Sequence, residues 1–370
     1  MTADRKIRLG LLYGGRSCEH EVSVTSARCV YQALDPRKYE VSLLGISKSG
    51  QWLLADASMP VLDAQVVQPE GQTSVMLDYH EPGRIVPRST DHNVSQAITS
   101  LDVIFPILHG PFGEDGTVQG LFELADVAYV GSGVTGSAVG MDKAVSKAVC
   151  AAEGIPQAKY LVLLKSRWQA ERETVVQQIE AELSYPIFVK PANLGSSVGI
   201  SRATATTELR SAMDLAVKYD LKVIVEEGFT NCHEIEVAVL GNDNPEASVV
   251  GEIIPGGDFY DYNDKYIDNL SRVEIPANLP DEACRTVQDY AKRVFTAIAA
   301  AGLARVDFFV SKDDFSVYIN EINTMPGFTP ISMYPKLWEV SGLGYSQLLD
   351  RLIELALERH EQRKQKQITL

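Results

Sequence analysis

Two segments near the C-terminus, ARVDFFV and YINEINT, carry charged and amide side chains at alternating positions. Side chains two apart on a strand share a face. Arg305 and Asp307 therefore face one way, and so do Glu321 and Asn323. A turn centred on Asp314 sets Asp307 opposite Glu321 and Arg305 opposite Asn323, leaving Val306, Phe308, Val310 and Ile322 for the core. Two carboxylates and an amide oxygen then meet beside an arginine. Such hard oxygen donors suit Mg²⁺, which takes one or two carboxylates and completes its shell with phosphate and water. A structural salt bridge of Arg305 with the acids, on a solvated sheet face, is the competing reading. A second segment, VKPANLGSSVG at 189–199, ends an apolar strand on Lys190 and runs on through Gly195, Ser196, Ser197 and Gly199. A loop of this kind offers backbone N–H groups and hydroxyls beside a fixed cation, which suits phosphate. Phosphates would need both the loop and the metal, and this favours the metal reading of the hairpin.

Other candidates stand between chemistry and ordinary structure. Glu19, in GGRSCEHEVS, follows the first strand at the carboxyl edge where open α/β sheets bind ligands. It serves equally well as a first-turn acid on a helix dipole. His109 ends another strand at the same edge, where a satisfied loop histidine is the simpler reading. Lys143, in GMDKAVSK, has the spacing of any exposed helix lysine. Glu226, in VEEGF, sits near a strand end, where it could accept from a ribose or adenine group or simply be solvated. The aromatic stretch 256–272 is long for a plain connection and reads as a lid carrying Lys265 and Tyr266. A surface insertion is the alternative there.

These residues need a frame. The first third alternates strands and helices: IRLGLLYGG, helix EVSVTSARCVYQAL, YEVSLLGIS, WLLAD, then LDVIFPILHG, helix TVQGLFELAD and VAYVG. Continuous apolar strands mark a doubly wound parallel sheet buried on both faces. Residues 57–100 show no assignable period. One small-residue helix, TGSAVGMDKAVSKAVCAAEG, leads out of this unit. A helix RWQAERETVVQQIEAEL, strand YPIFVKPA, helix TTELRSAMDLAVKY and strand KVIVEEGF follow. HEIEVAVLG and EASVVGEIIP then read as antiparallel strands, a long helix as 280–300, and the chain closes on an amphipathic helix with a solvated tail, ERHEQRKQKQ. GSGVTG fits GxGxxG, but its helix leads away from the sheet, so a tight turn with close backbone packing explains it better than a dinucleotide. No Gly-Lys pair exists, so a Walker A loop is absent.

Composition narrows the class. The 370 residues exceed one ordinary core and imply two or three domains. With 34 basic and 49 acidic residues the net charge is −15, which lacks the footprint of a nucleic-acid binder. Five scattered cysteines without a CxxC pair suit reduced thiols in the cytoplasm. Nothing at the N-terminus reads as a signal or a membrane span.

In combination, GGRSCEHEVS, HGPFGEDGTVQG, GSGVTGSAVGMDK, VKPANLGSSVG, FYDYNDKY, ARVDFFV and NEINTMPGFTPISMYP resemble the D-alanine–D-alanine ligases of the ATP-grasp superfamily, over about residues 7–359. The resemblance implies a three-domain ATP-grasp fold: an N-terminal doubly wound substrate domain (1–142) and two α+β domains (143–235 and 236–370) that enclose ATP. It implies that Lys143, Lys190 and Lys265 contact phosphates, with Ser197 in the same loop, and that Glu226 and Glu234 hold adenosine. Asp307, Glu321 and Asn323 match the positions for two Mg²⁺, with Mn²⁺ able to substitute. Glu19 matches the carboxylate that orients the first D-alanine's ammonium, with His109 close by. Ser196 and Tyr266 match a group bonded with Glu19 that ties the lid to the first domain. Arg305 and the Gly327 backbone match the transition-state stabilisers, and Ser332 the contact to the second carboxylate. The implied reaction joins two D-alanines through an acyl phosphate for peptidoglycan precursors, in a cytoplasmic homodimer. The DKY lid resembles that of dipeptide formers rather than D-alanine–D-lactate ligases. An ATP-grasp ligase for another pair, and a silent nucleotide-binding protein, are the alternatives.

Overall fold

The computed structural model describes residues 5–55, 60–88, 99–254 and 272–367. Three sheets organise them. The first holds β1 (Ile7–Gly14), β2 (Tyr39–Ile46), β3 (Trp52–Ala55), β4 (Thr73–Leu77), β5 (Arg84–Pro87), β6 (Thr99–Ser100), β7 (Val103–Ile107) and β8 (Ala128–Tyr129), in the order β6-β5-β4-β3-β2-β1-β7-β8. Strands β2, β1, β7 and β8 are parallel and buried along most of their length. Their order reverses between β1 and β7, and such a switch point opens a crevice at the strands' carboxyl ends. Glu19 follows β1 and His109 follows β7, so both stand at that crevice.

The sheet is not wholly parallel. Strands β3 to β6 continue it antiparallel from the β2 edge. The described residues of the stretch without period thus contain three short strands of five, four and two residues. They bury Val75, Leu77 and Ile85 with Leu12 and Leu44.

The second sheet, β9 (Tyr160–Leu164), β10 (Ile187–Pro191), β11 (Ser201–Ala203) and β12 (Lys222–Glu227), is antiparallel in the order β11-β10-β12-β9. Its core packs Trp168, Val176, Ile179 and Met213 against the strands. The third sheet comprises β13 (Cys232–Gly241), β14 (Glu246–Ile254), β15 (Arg272–Glu274), β16 (Gly302–Ser311) and β17 (Val317–Asn323), in the order β15-β14-β13-β16-β17. Val306, Phe308, Val310 and Ile322 are buried beneath the helix Asp281–Ala297, as their alternation requires.

Several helices differ from expectation. The small-residue helix is two, Val134–Met141 and Lys143–Ala152, because Asp142 leaves the helical path and caps the second one. Its side chain accepts from the N–H groups of Ala144 and Val145, each at 3.1 Å, the usual work of an N-cap aspartate. The helix at RWQAERETVVQQIEAEL likewise breaks at Glu171 into Lys165–Ala170 and Arg172–Glu182. The final helix runs through most of the expected tail, as Tyr345–Lys364. Arg359 lies 4.5 Å over the Tyr129 ring, His360 pairs with Asp126 and Arg363 with Glu123. Together with Leu349, Leu352 and Ile353 in one core with Leu9 and Leu11, they bind the C-terminal helix to the first sheet. No described helix is long and apolar enough to cross a membrane.

The GSGVTG segment is a packing turn. A Cβ on Gly136 would lie 2.6 Å from the Ala299 carbonyl oxygen, so the helix Val134–Met141 can approach the third sheet's connection only through glycine.

Candidate active site

On the face of the third sheet opposite the core, register builds two cross-strand rows. Ala238, Arg305 and Asn323 form one, and Glu236, Asp307 and Glu321 the other. The pairing of Arg305 with Asn323 and of Asp307 with Glu321 is the one alternation predicts. Beyond Asp307 the register slips by one, since Phe308 pairs with Ile319 and Asn320 is left out. A bulge of this kind adds one residue to one strand. The turn itself is therefore not symmetric about Asp314, and the bulge corrects the register before the site.

Arg305 is buried in this surface. Its Nε donates to Asp307 Oδ1 and its Nη2 to Asp307 Oδ2, both at 2.7 Å, while Glu236 Oε2 lies 2.9 Å from Nε. Burial alone would lower its pKa, but Asp307 and Glu236 hold it well above the ordinary value. Asn323 Nδ2 donates to Asp307 Oδ2 at 3.1 Å. Glu321 pairs with Lys143 at 3.2 Å. Asp307, Glu321 and Asn323 thus offer hard oxygens on one face, a donor set that fits Mg²⁺. Among the described residues no three His, Cys, Asp or Glu side chains converge into a cage.

The Gly-Ser loop leaves β10 directly above this face. Ser196 and Ser197 both adopt left-handed conformations, with φ of 48° and 58°. Non-glycine residues there cost about 1–2 kcal/mol each, and such strain gathers at ligand-holding loops. Ser196 Oγ donates to Glu19 Oε1, which joins the loop to the first domain. Glu19 is the N-cap of His20–Ala33, yet its side chain makes no capping bond. Its carboxylate accepts from Ser196 instead. Gly195 makes room for this contact, because a Cβ there would lie 3.1 Å from Glu19 Oε2.

Lys143 Nζ donates to the Leu194 carbonyl at 2.8 Å while pairing with Glu321, so it spans loop and acidic face. Lys190 pairs with Glu226, which also pairs with Lys147 at 2.9 Å. Glu226 is 3 % and Lys147 5 % exposed, so the solvated reading of Glu226 does not hold. Burial would raise its carboxyl, but Lys147 and Lys190 outweigh this and hold it at about 2. Burial alone would lower the Lys190 ammonium, but the surrounding carboxylates Glu226, Glu321 and Glu234 together hold it above its ordinary value.

His109 is buried, and its Nδ1 lies 3.1 Å from the Met325 carbonyl. That carbonyl can only accept, so Nδ1 carries the proton and Nε2 presents a lone pair. Burial holds the imidazole below its usual pKa, against the opposing charge of Glu19, so it is neutral at pH 7. Ser332 begins the helix Met333–Val340 and its Oγ accepts from the Thr329 N–H at 3.0 Å.

Two clefts join here. Glu19, His109, Ser196, Arg305, Gly327 and Ser332 line one; Lys190, Ser197, Glu226, Glu234 and Asp307 line the other; Glu236 and Glu321 line both. Lys265 and Tyr266, with the lid stretch, lie outside the described residues. His233 turns away from Glu234 to the opposite face of β13 and bonds Glu252 at 2.7 Å, as strand alternation dictates.

Three site residues escaped sequence reasoning. Glu236 stands two after Glu234 in EIEVAV, and this alternation was the available signal. Lys147 is four after Lys143, hence on the same helix face. Glu114 carries no periodic signal. It accepts from the Gly110 N–H at 2.8 Å, and burial, with the charge of Glu19, pushes its carboxyl up to about 8. The folded protein thus keeps a proton that the unfolded chain, with a carboxyl near 4.5, has released. Stability from this group falls as pH rises between those values. Melting temperatures measured from pH 6 to 9 should decline more steeply for the wild type than for Glu114→Gln; parallel curves would contradict this assignment.

Comparisons with known proteins show what the chain is similar to. The family model described as D-ala D-ala ligase N-terminus matches residues 8–132, and that described as D-ala D-ala ligase C-terminus matches residues 149–354. A D-alanine--D-alanine ligase of Heliobacterium modesticaldum is 51 % identical over 360 residues, covering 97 % of both chains. The solved D-alanine-D-alanine ligase of Coxiella burnetii superposes with a TM-score of 0.85 at 36 % identity, over 97 % of this chain and 96 % of that one. The VanG D-Ala:D-Ser ligase of Enterococcus faecalis gives 0.83 at 33 %, over 95 % and 100 %.

Proposed function

Because this chain belongs to the D-alanine–D-alanine ligase family, we propose that it joins two D-alanines into D-alanyl-D-alanine at the cost of ATP, supplying peptidoglycan precursors. The observation that carries this reading is the shared wall of the two clefts. Glu321 lines both, so a phosphate chain beside Lys190 would end next to a substrate held at Glu19.

The roles follow from charge and position. Glu19 holds the first D-alanine's ammonium, and its bond to Ser196 closes the Gly-Ser loop over that substrate. Neutral His109 offers Nε2 as an acceptor at the same end. The first carboxylate attacks the γ-phosphorus of ATP, the bond to the β-phosphate oxygen breaks, and ADP leaves an acyl phosphate. Lys190 and Lys143 offset phosphate charge, while Glu226 and Glu234 hold the adenosine and Ser197 the loop side. Asp307, Glu321 and Asn323 would hold Mg²⁺, in two ions and replaceable by Mn²⁺, whose chemistry is neutralisation of charge on the phosphoryl oxygens. The second D-alanine's neutral amine attacks the acyl carbon, the bond to the phosphate oxygen breaks, and inorganic phosphate departs with the proton the amine releases. Arg305 and the Gly327 N–H stabilise the oxyanion of that step, a contribution that depends on donors fixed in advance. Ser332 receives the second carboxylate. Lys265 and Tyr266, from the lid, complete the phosphate contacts and the Glu19–Ser196 group, and closure keeps water from the acyl phosphate.

We take the three ATP-grasp domains as 1–142, 143–235 and 236–370, working as a cytoplasmic homodimer; light scattering in solution checks the assembly. The nucleophile is tested by offering D-alanine with D-lactate or D-serine at neutral pH and identifying products by mass spectrometry. D-alanyl-D-alanine should dominate both mixtures. A predominance of depsipeptide or of D-alanyl-D-serine would overturn the choice of D-alanine's amine.

A further inference from the structure

Arg305 sits beside a row of acids, bonded to one of them through Nε and ion-paired with another at the same nitrogen. Its Nε is 2.7 Å from Asp307 Oδ1 and 2.9 Å from Glu236 Oε2, and Nη2 takes the second oxygen of Asp307. Both oxygens of Asp307 are therefore committed to the guanidinium, with Asn323 adding a third bond. The reading above asks Asp307 to serve a metal ion as well. Those demands compete, because an oxygen turned to a cation is withdrawn from Arg305. A buried guanidinium that loses its partner must find another or move toward water.

Glu236 supplies that partner. It lies on β13 directly opposite Asp307, is buried, and already touches Nε. We propose that Glu236 is a positioning residue that keeps Arg305 in place for the oxyanion when Asp307 is engaged by metal, so that the two roles of this sheet face can coexist. The Nε hydrogen, given to Asp307 in the present arrangement, passes to Glu236, whose Oε2 already lies 2.9 Å from Nε. Arg305 thereby keeps a carboxylate throughout and does not retreat from the cleft that it lines. Glu236 acts through Arg305 and needs no contact with substrate. This inference rests on the ligase reading for the role of Arg305, but its binding test does not depend on turnover.

The test pairs kinetics with a binding cycle. In Glu236→Gln, kcat should fall on the order of tenfold while the KM for ATP stays within about twofold, a coupling of ordinary size for contacting residues. A role in packing alone would lower melting temperature without that split. Mn²⁺ binding to the ADP-saturated protein, followed by electron paramagnetic resonance, should weaken several-fold, roughly the same scale. Arg305 then depends on Asp307, the carboxylate it bonds through Nε and Nη2, and gives it up less readily. In an Arg305→Met background the Glu236→Gln change should leave Mn²⁺ affinity unaltered. Weakening there of the same size would show Glu236 acting without Arg305 and would overturn the proposal. So would an unchanged kcat in Glu236→Gln beside an active wild type. If Glu236→Gln does not fold, Glu236→Asp, with its shorter reach, takes its place in both measurements, and the same results support or overturn the proposal. A wild type that releases no ADP with D-alanine sinks the ligase reading alone, because the Mn²⁺ cycle still decides the part played by Glu236.

Discussion

Asp307→Asn should reduce turnover by about a hundredfold to a thousandfold, the range for a lost electrostatic group in an active site, while the chain stays folded. The substitution keeps shape and removes charge. Arg305 would lose the two bonds it donates to the carboxylate but keep Glu236, so no buried cation is stranded. The expected stability loss is that of charged hydrogen bonds, about 1.5–3 kcal/mol, and a cooperative melt should persist. The catalytic loss has a separate origin, since an amide oxygen binds a divalent cation more weakly than a carboxylate does. ADP release by the purified variant, with a circular dichroism spectrum beside it, measures both. A folded Asp307→Asn protein with near-normal turnover would discredit the metal role.

Lys190→Met should behave differently, because function and stability are coupled there. Lys190 and Lys147 together neutralise the buried Glu226. Removing one partner of a buried pair commonly costs about 3–5 kcal/mol. Lys147 remains, so the loss should fall at or below the low end of that range. The KM for ATP should rise at least about tenfold, as befits a lost charge-assisted contact of 1.5–3 kcal/mol. The sign with pH follows from the lowered Glu226. Its contribution to stability is present above the ordinary carboxyl value of 4.5 and is lost as pH falls toward about 2. In Lys190→Met the carboxyl is held down less, so that loss should be smaller and complete at a higher pH. An unchanged KM for ATP would remove Lys190 from the phosphate site.

How much of this was legible in the sequence varies with the range of the interaction involved. The hairpin was readable because alternation on a strand is local, and the residues that share a face with Asp307 are fixed by counting. The bulge at Asn320 was not, since it depends on how the turn after Ser311 closes. The burial of Glu226 was not legible because its partners come from elsewhere: Lys147 lies on a helix far back in the chain and Lys190 on the neighbouring strand. Residues 57–100 hid three strands because strands of two to five residues at a sheet edge are too short to show a period. The break at Asp142 was in principle visible, for aspartate is among the strongest N-caps, but the run of small residues on both sides concealed it. The C-terminal helix was readable as amphipathic, whereas its docking on Tyr129 and Asp126 was not, because nothing local identifies the surface that receives Arg359 and His360.

The chemistry at the joined clefts can be tested directly by measuring ADP released from ATP as each candidate acid is added in turn. Release should depend on D-alanine, with L-alanine and D-lactate alone giving little above background, and one dipeptide should form per ADP. ADP formation indifferent to D-alanine, or release without dipeptide, would contradict it.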